Sequence, residues 1–221
     1  MTDKNTIIKS IQTQGLLPLY FHKDKAVSIN TLRALYRAGV RAVEYTNRGE
    51  EAFSNFQAMV SIRNSEMADL YLGIGTLKNR TDAEKYVAAG ADFLISPGFV
   101  PEIAAYTKDT PMLYAPGCMI PGEIIAAENA GVGFIKLFPG NALGPEFMSS
   151  IRGVFPNLLF MPTGGVDATA ESISAWFDAG VCAVGMGSKL VTNELLKNND
   201  FEAIETNTKK ILDIIAAIQR K

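Results

Sequence analysis

DLYLGIGTLKNRTDAEKYVAAGADFLISP, residues 69–97, holds a strand, a helix and the next strand in one unbroken stretch. The runs 69–76 and 92–97 are rich in aliphatic residues and are bounded by turn chemistry, as strands are. Between them TDAEKYVAAG (81–90) opens with a capping-box pattern, Thr81 to Glu84, and closes on Gly90. A connection of that length and kind joins parallel strands. The strand cores are near-continuously apolar, which suits parallel strands covered by helices.

The same unit recurs outward in both directions. Further strands are expected at LPLYF (17–21), AVEYT (42–46), PMLYAPG (111–117), FIKLF (134–138), LLFMPT (158–163) and AVGMG (183–187). Helices are expected at SINTLRALYRAG (28–39), from an N-cap at Ser28 to Gly39, and at GEEAFSNFQAMVSIR (49–63), with acidic residues in its first turn. DATAESISAWFDAG (167–180) ends as 81–90 does, and Trp176 within it reads as helix–barrel packing. In 201–220, Ile204, Ile211, Ile214, Ile215 and Ile218 fall mostly at helical spacing and predict a final helix over the core. Eight strand-then-helix units favour an α/β fold of the (β/α)8 TIM-barrel kind over an open doubly wound sheet. With no linker or low-complexity segment, residues 1–221 read as one domain.

Composition narrows the function. The net charge of −2 gives no electrostatic footprint for nucleic acid. Apolar runs are far too short to span a bilayer, and MTDKNTIIKS lacks the apolar core of a signal peptide, so a cytoplasmic protein without a membrane partner is expected. Cys118 and Cys182 are the only cysteines and suggest a reducing compartment. His22 is the only histidine, which excludes a multi-histidine zinc site; following the first strand, it either touches ligand or is solvated. Carboxylate-held magnesium or manganese is not excluded on that count.

A barrel of this kind carries its active site at the C-terminal ends of the strands. Phe134, Lys136 and Phe138 share the face opposite Ile135 and Leu137, so Lys136 points into the barrel. A buried ammonium must be paired or lose its proton, and the neutral amine attacks carbonyls to form a Schiff base. The alternatives are a lysine that snorkels to the strand end or a buried salt bridge. Glu44 points inward by the same parity, beside Ala42 and Thr46, as a proton-transfer group or an ion-pair partner of Lys136 or Arg48. Arg48, just past that strand, is either a carboxylate fork or a surface arginine. Thr76 follows Gly73 and Gly75, which either admit a ligand or relieve crowding in the barrel. PTGGV (162–166) and GMGSKL (185–190) are glycine-rich turns after the seventh and eighth strands, the usual phosphate position of the fold. Cys118 reads as a bystander in a loop near the mouth.

VEYTNR (43–48), GIGTL (73–77), FLISPGF (93–99), PGCMIPGE (116–123), IKLFPG (135–140), MPTGGV (161–166) and VGMGSKL (184–190), in that order, resemble the 2-keto-3-deoxy-6-phosphogluconate / 4-hydroxy-2-oxoglutarate aldolase family. The resemblance implies a homotrimeric barrel in Entner–Doudoroff-type carbohydrate metabolism, acting on a 2-keto acid to release pyruvate, with no metal and no cofactor. It implies that Lys136 forms the Schiff base and Glu44 transfers protons. It places Arg48, Thr76, Pro97, Phe138 and Thr163 around the substrate carboxylate, and Gly164, Gly165, Gly187 and Ser188 around the phosphate. The chain departs from the family at Cys118–Glu123, at Gly140–Asn141 and at Lys189, where a tryptophan is frequent. Lys189 adds positive charge near a phosphate or is simply solvated. These departures bear on the aldehyde half: the gluconate acid, its galactonate epimer, 4-hydroxy-2-oxoglutarate or another 2-keto acid. Outside the family, the same turns would serve a phosphate-binding isomerase or epimerase, or a non-catalytic sugar-acid binding protein.

Overall fold

The computed structural model describes residues 3–219, so residues 1–2 and 220–221 of the expected domain, with the last position of the expected final helix, lie outside the described residues. The elements run α1 (Lys4–Gln14), β1 (Leu16–Tyr20), α2 (Lys25–Arg37), β2 (Ala42–Thr46), α3 (Ala52–Glu66), β3 (Tyr71–Gly75), α4 (Arg80–Ala88), β4 (Phe93–Ser96) and α5 (Pro101–Thr107). There follow β5 (Leu113–Cys118), α6 (Pro121–Asn129), β6 (Phe134–Leu137), α7 (Gly140–Arg152), β7 (Leu159–Pro162), α8 (Ala170–Asp178), β8 (Val184–Met186), α9 (Asn193–Lys197) and α10 (Phe201–Gln219). All eight expected strands form, with ends shifted by a residue or two.

The strands pair in parallel in the order β7-β6-β5-β4-β3-β2-β1-β8. The remaining seam is joined by a parallel bridge between Thr163 and Gly185, and by the Cys182 N–H, which donates to the Phe160 carbonyl at 2.9 Å. The sheet therefore closes as a (β/α)8 barrel. Strand parity divides the apolar residues into two regions. Leu17, Ala42, Phe93, Leu113, Phe134 and Met161 fill the barrel, while Val43, Tyr45, Ile135 and Leu137 pack beneath the helices. Ile7 and Ile11 of α1 join the inner group and plug the N-terminal end of the barrel. Trp176 is buried between α8 and the strands as expected, and α10 packs on α2 and α8.

Helix starts differ from the sequence expectation. α2 begins at Lys25 because Asp24 is its N-cap, accepting the Val27 N–H at 2.9 Å. Ser28 lies inside that helix, its hydroxyl donating to the His22 and Asp24 carbonyls. α4 is capped by Asn79, which accepts the Asp82 N–H at 2.8 Å, and Thr81 is already helical. Glu50 and Glu51 precede α3 and leave no acid in its first turn. Gly39, Gly90 and Gly180 take positive φ just past their helices, as their positions suggested. Cys118 is not in a loop: it is the buried last residue of β5, on the face toward the helices.

Candidate active site

Alternation along β6 sends Lys136 inward, and it is 4% exposed. Alternation along β2 does the same for Glu44, which is fully buried. The Lys136 Nζ stands 3.4 Å from Glu44 Oε1, so the two charges meet inside the barrel and offset one another's desolvation. The Lys136 Nζ also lies 5.3 Å from the centre of the Phe138 ring. Glu44 Oε2 and Thr163 Oγ1 are buried and have no protein hydrogen-bond partner among the described residues. Buried polar atoms are satisfied as a rule, so both mark places where a polar ligand atom would be stabilised.

The glycines of β3 serve packing. A Cβ on Gly75 would lie 1.8 Å from Glu44 Oε1, and one on Gly73 would lie 2.1 Å from the Phe93 ring. The space above both is thus filled by protein side chains, and Gly75 is what lets the Glu44 carboxylate lie flat against β3. Thr76 follows with φ of +65°, a left-handed conformation that a β-branched residue adopts only under constraint. The constraint is visible on either side: the Gly75 carbonyl accepts the Asn47 N–H, and the Leu77 N–H donates to the Ile95 carbonyl.

A cavity of about 700 Å³ opens at the C-terminal ends of β1, β2, β6, β7 and β8. It brings together Arg48, Phe138, Thr163, Gly164, Gly165, Gly187 and Ser188. Arg48 is exposed, Phe138 half-buried and Thr163 buried. Lys136, Glu44, Thr76 and Pro97 do not line it. The Lys136 Nζ lies beside the Phe138 ring with Glu44 as its partner, and Thr76 follows Gly75, which abuts the Glu44 carboxylate. Pro97 lies nearer Lys136: its carbonyl oxygen would meet a Cβ on Gly117, the register partner of Lys136.

The two glycine-rich turns do not run straight into helices. Four residues separate Gly165 from α8, and Gly187 to Val191 makes a single turn before α9. Both turns still present backbone to the cavity. The Gly165 and Ser188 N–H groups have no protein acceptor among the described residues, and free N–H groups at a cavity wall bind anions. Gly164 and Gly165 take φ of +85° and +71°, and a Cβ on Gly165 would lie 2.5 Å from the Asn141 Cα. Sequence reasoning gave no ligand-facing role to several cavity residues, Asp167 and Asn193 among the polar ones, and had Asn141 only as a departure bearing on the aldehyde half. Asn141 comes from the first turn of α7, and Asp167 follows the Gly-Gly turn; their only signal was position after a strand end. His22 is half-buried, and its Nδ1 accepts the Asp24 N–H at 3.1 Å. The Cys118 thiol is pushed up to about 12 by burial, with Glu123 adding to the shift, and cannot serve as a thiolate near neutral pH. Among the described residues there is no cluster of three metal-ligating side chains, and no helix is long and apolar enough to cross a membrane.

Comparison with known proteins shows the family to which the chain belongs. The family model for KDPG and KHG aldolase matches residues 7–207. The chain is 30% identical over 216 residues to a 2-dehydro-3-deoxy-phosphogluconate aldolase of Treponema pallidum, covering 96% of this chain and 99% of that protein. It is 30% identical over 207 residues to a KHG/KDPG aldolase of Escherichia coli, covering 92% and 94%. Among solved structures, the KDPG aldolase of Legionella pneumophila, with pyruvate captured at low pH as a covalent carbinolamine intermediate, superposes with a TM-score of 0.84 at 26% identity. That match covers 92% of this chain and 97% of the other. The chain belongs to the KDPG and KHG aldolase family.

Proposed function

We propose that the protein is a class I aldolase that cleaves 2-keto-3-deoxy-6-phosphogluconate to pyruvate and D-glyceraldehyde 3-phosphate. The observation that carries the reading is the buried Lys136 amine, 3.4 Å from the Glu44 carboxylate, beside a cavity walled by two glycine turns. The Lys136 amine attacks the C2 ketone, and loss of water from the carbinolamine leaves an iminium that can accept an electron pair. Glu44, directly or through water, takes the C4 hydroxyl proton. The C3–C4 bond breaks, the aldehyde leaves, and its bonding pair forms the enamine. Protonation at C3 and hydrolysis then release pyruvate and the free amine. Arg48 and Thr76, with Pro97, Phe138 and Thr163, hold the carboxylate so that the carbonyl faces the amine, a proximity effect. Gly164, Gly165, Gly187 and Ser188 hold the phosphate through backbone donors. 4-Hydroxy-2-oxoglutarate, with its shorter distal half, is a second substrate of the same chemistry.

The assembly is a homotrimer in the cytoplasm, as the family resemblance suggests; light scattering giving one chain mass instead of three would overturn that part. Borohydride reduction in the presence of pyruvate, followed by peptide mass spectrometry, tests the mechanism. A reduced pyruvyl adduct is expected on Lys136 and no adduct in Lys136→Met. An unmodified Lys136 in protein that binds pyruvate would sink the reading.

A further inference from the structure

The rim of the cavity carries two side chains that this reaction leaves unused. The Lys189 Nζ stands 2.8 Å from Asp167 Oδ1. Asp167 comes from the turn after β7 and Lys189 from the turn after β8, and both line the cavity beside Gly164, Gly165 and Ser188. The side chains of Lys189 and Asp167 are 61% and 56% exposed, so water screens the contact and it is readily exchanged. The two partners are held unequally. The backbone of Asp167 is fixed: its N–H donates to Ser172 Oγ at 3.0 Å, and its carbonyl accepts the Thr169 N–H at 2.8 Å. Lys189 ends in three rotatable donors on a four-carbon stem, and Asp167 is its one side-chain partner among the described residues.

We propose that Lys189 is a specificity residue for the distal anion of the substrate, resting on Asp167 in the free protein and turning to the phosphoryl oxygens when a phosphorylated substrate fills the cavity. The inference rests on the aldolase reading of the same cavity. Its basis is charge. The glycine turns offer a phosphate hydrogen bonds but no formal charge. Among the described residues that line the cavity, Arg48 and Lys189 are the cations and Asp167 is the one carboxylate. With Arg48 committed to the keto-acid carboxylate, the distal half keeps a single cation, and that cation is engaged by the acid beside it. Asp167 therefore opposes a phosphate twice, by repelling it and by occupying Lys189. A substrate with a neutral distal end gains nothing from releasing Lys189. The ion pair thus sets how strongly the enzyme prefers phosphorylated acids, which the backbone donors alone would not fix.

The test compares the wild type with Lys189→Met and Asp167→Asn. Each is assayed on 2-keto-3-deoxy-6-phosphogluconate and on the same acid without phosphate. Binding of glycerol 3-phosphate is titrated by calorimetry in parallel. In Lys189→Met the preference for the phosphorylated acid, as a ratio of kcat/KM values, should fall about tenfold, chiefly through KM. In Asp167→Asn it should rise. Glycerol 3-phosphate should bind more weakly to the first variant and more tightly to the second. Shifts of the same sign in both variants, or none in either, would make the pair a surface contact and overturn the proposal. If the wild type cleaves neither acid, the aldolase reading fails by itself. The glycerol 3-phosphate titration then still decides the role of Lys189: opposite shifts uphold it and equal affinities overturn it.

Discussion

Lys136 and Glu44 form a buried pair whose carboxylate has one oxygen on the amine and one without a protein partner among the described residues. That asymmetry separates binding from proton transfer. Glu44→Gln keeps the shape beside Gly75 but removes the base. Turnover should fall by roughly a hundredfold or more, while the borohydride-trapped pyruvyl adduct still forms on Lys136. Loss of the adduct together with turnover would show that Glu44 acts by supporting the lysine alone. Both side chains were legible in the sequence because strand parity fixes which residues face inward. The Lys189–Asp167 contact was not, because it joins two turns whose approach only the closed barrel creates. The thiols make a pH prediction. Burial pushes Cys118 and Cys182 each up to about 12, whereas an unfolded thiol titrates near ~8.5. A raised folded value means a contribution fully present below the unfolded value and lost as pH rises through the folded one. The urea midpoint should therefore drop between about pH 8.5 and 12, and at pH 8 Ellman's reagent should label the native protein far more slowly than the unfolded chain. Prompt labelling of native Cys118 would contradict its burial.

At the scale of elements, strands were read well and helix beginnings poorly, for a physical reason. A strand core announces itself by apolar runs, but any Ser, Thr, Asp or Asn near a helix start can cap it, and the choice depends on where the preceding strand releases the chain. For α4, Asn79 and Thr81 both qualify by type, and the hydrogen bond to the Asp82 N–H belongs to Asn79. For α2 the cap is Asp24, four residues before the expected Ser28. The assignments separate under mutation. Asn79→Ala and Asp24→Ala should each lower stability by about 1 kcal/mol in urea unfolding, and Thr81→Ala by a few tenths at most. A larger loss at Thr81 than at Asn79 would restore the capping box read from the sequence. The same dependence on chain release explains the turns after β7 and β8. Their glycines were visible as residues, but the residues intervening before α8 and α9 were not.

The whole molecule divides its labour between the two ends of the barrel. The C-terminal end holds the buried pair, the cavity and the free backbone donors, and the N-terminal end is closed by α1. Nothing in the strand pattern foretold that closure, because α1 precedes the first strand and belongs to no βα unit. Its reason is the open lower end of a short barrel, where Leu17, Ala42, Leu113 and Phe134 would otherwise meet water. Ile7 and Ile11, one helical turn apart on one face, cover them and are 0% and 1% exposed. Trimming that plug should therefore cost stability without touching chemistry. Ile11→Ala removes buried methyl groups from a site with little room to collapse, a loss of about 2–5 kcal/mol in urea unfolding. Turnover and KM measured well below the denaturation midpoint should stay at wild-type values, because Ile11 lies at the opposite end from Lys136. If Ile11→Ala instead altered KM for the keto acid at full folded population, the two ends would be coupled through the inner layers of Phe93, Phe134 and Met161. The barrel would then have to be treated as one mechanical unit.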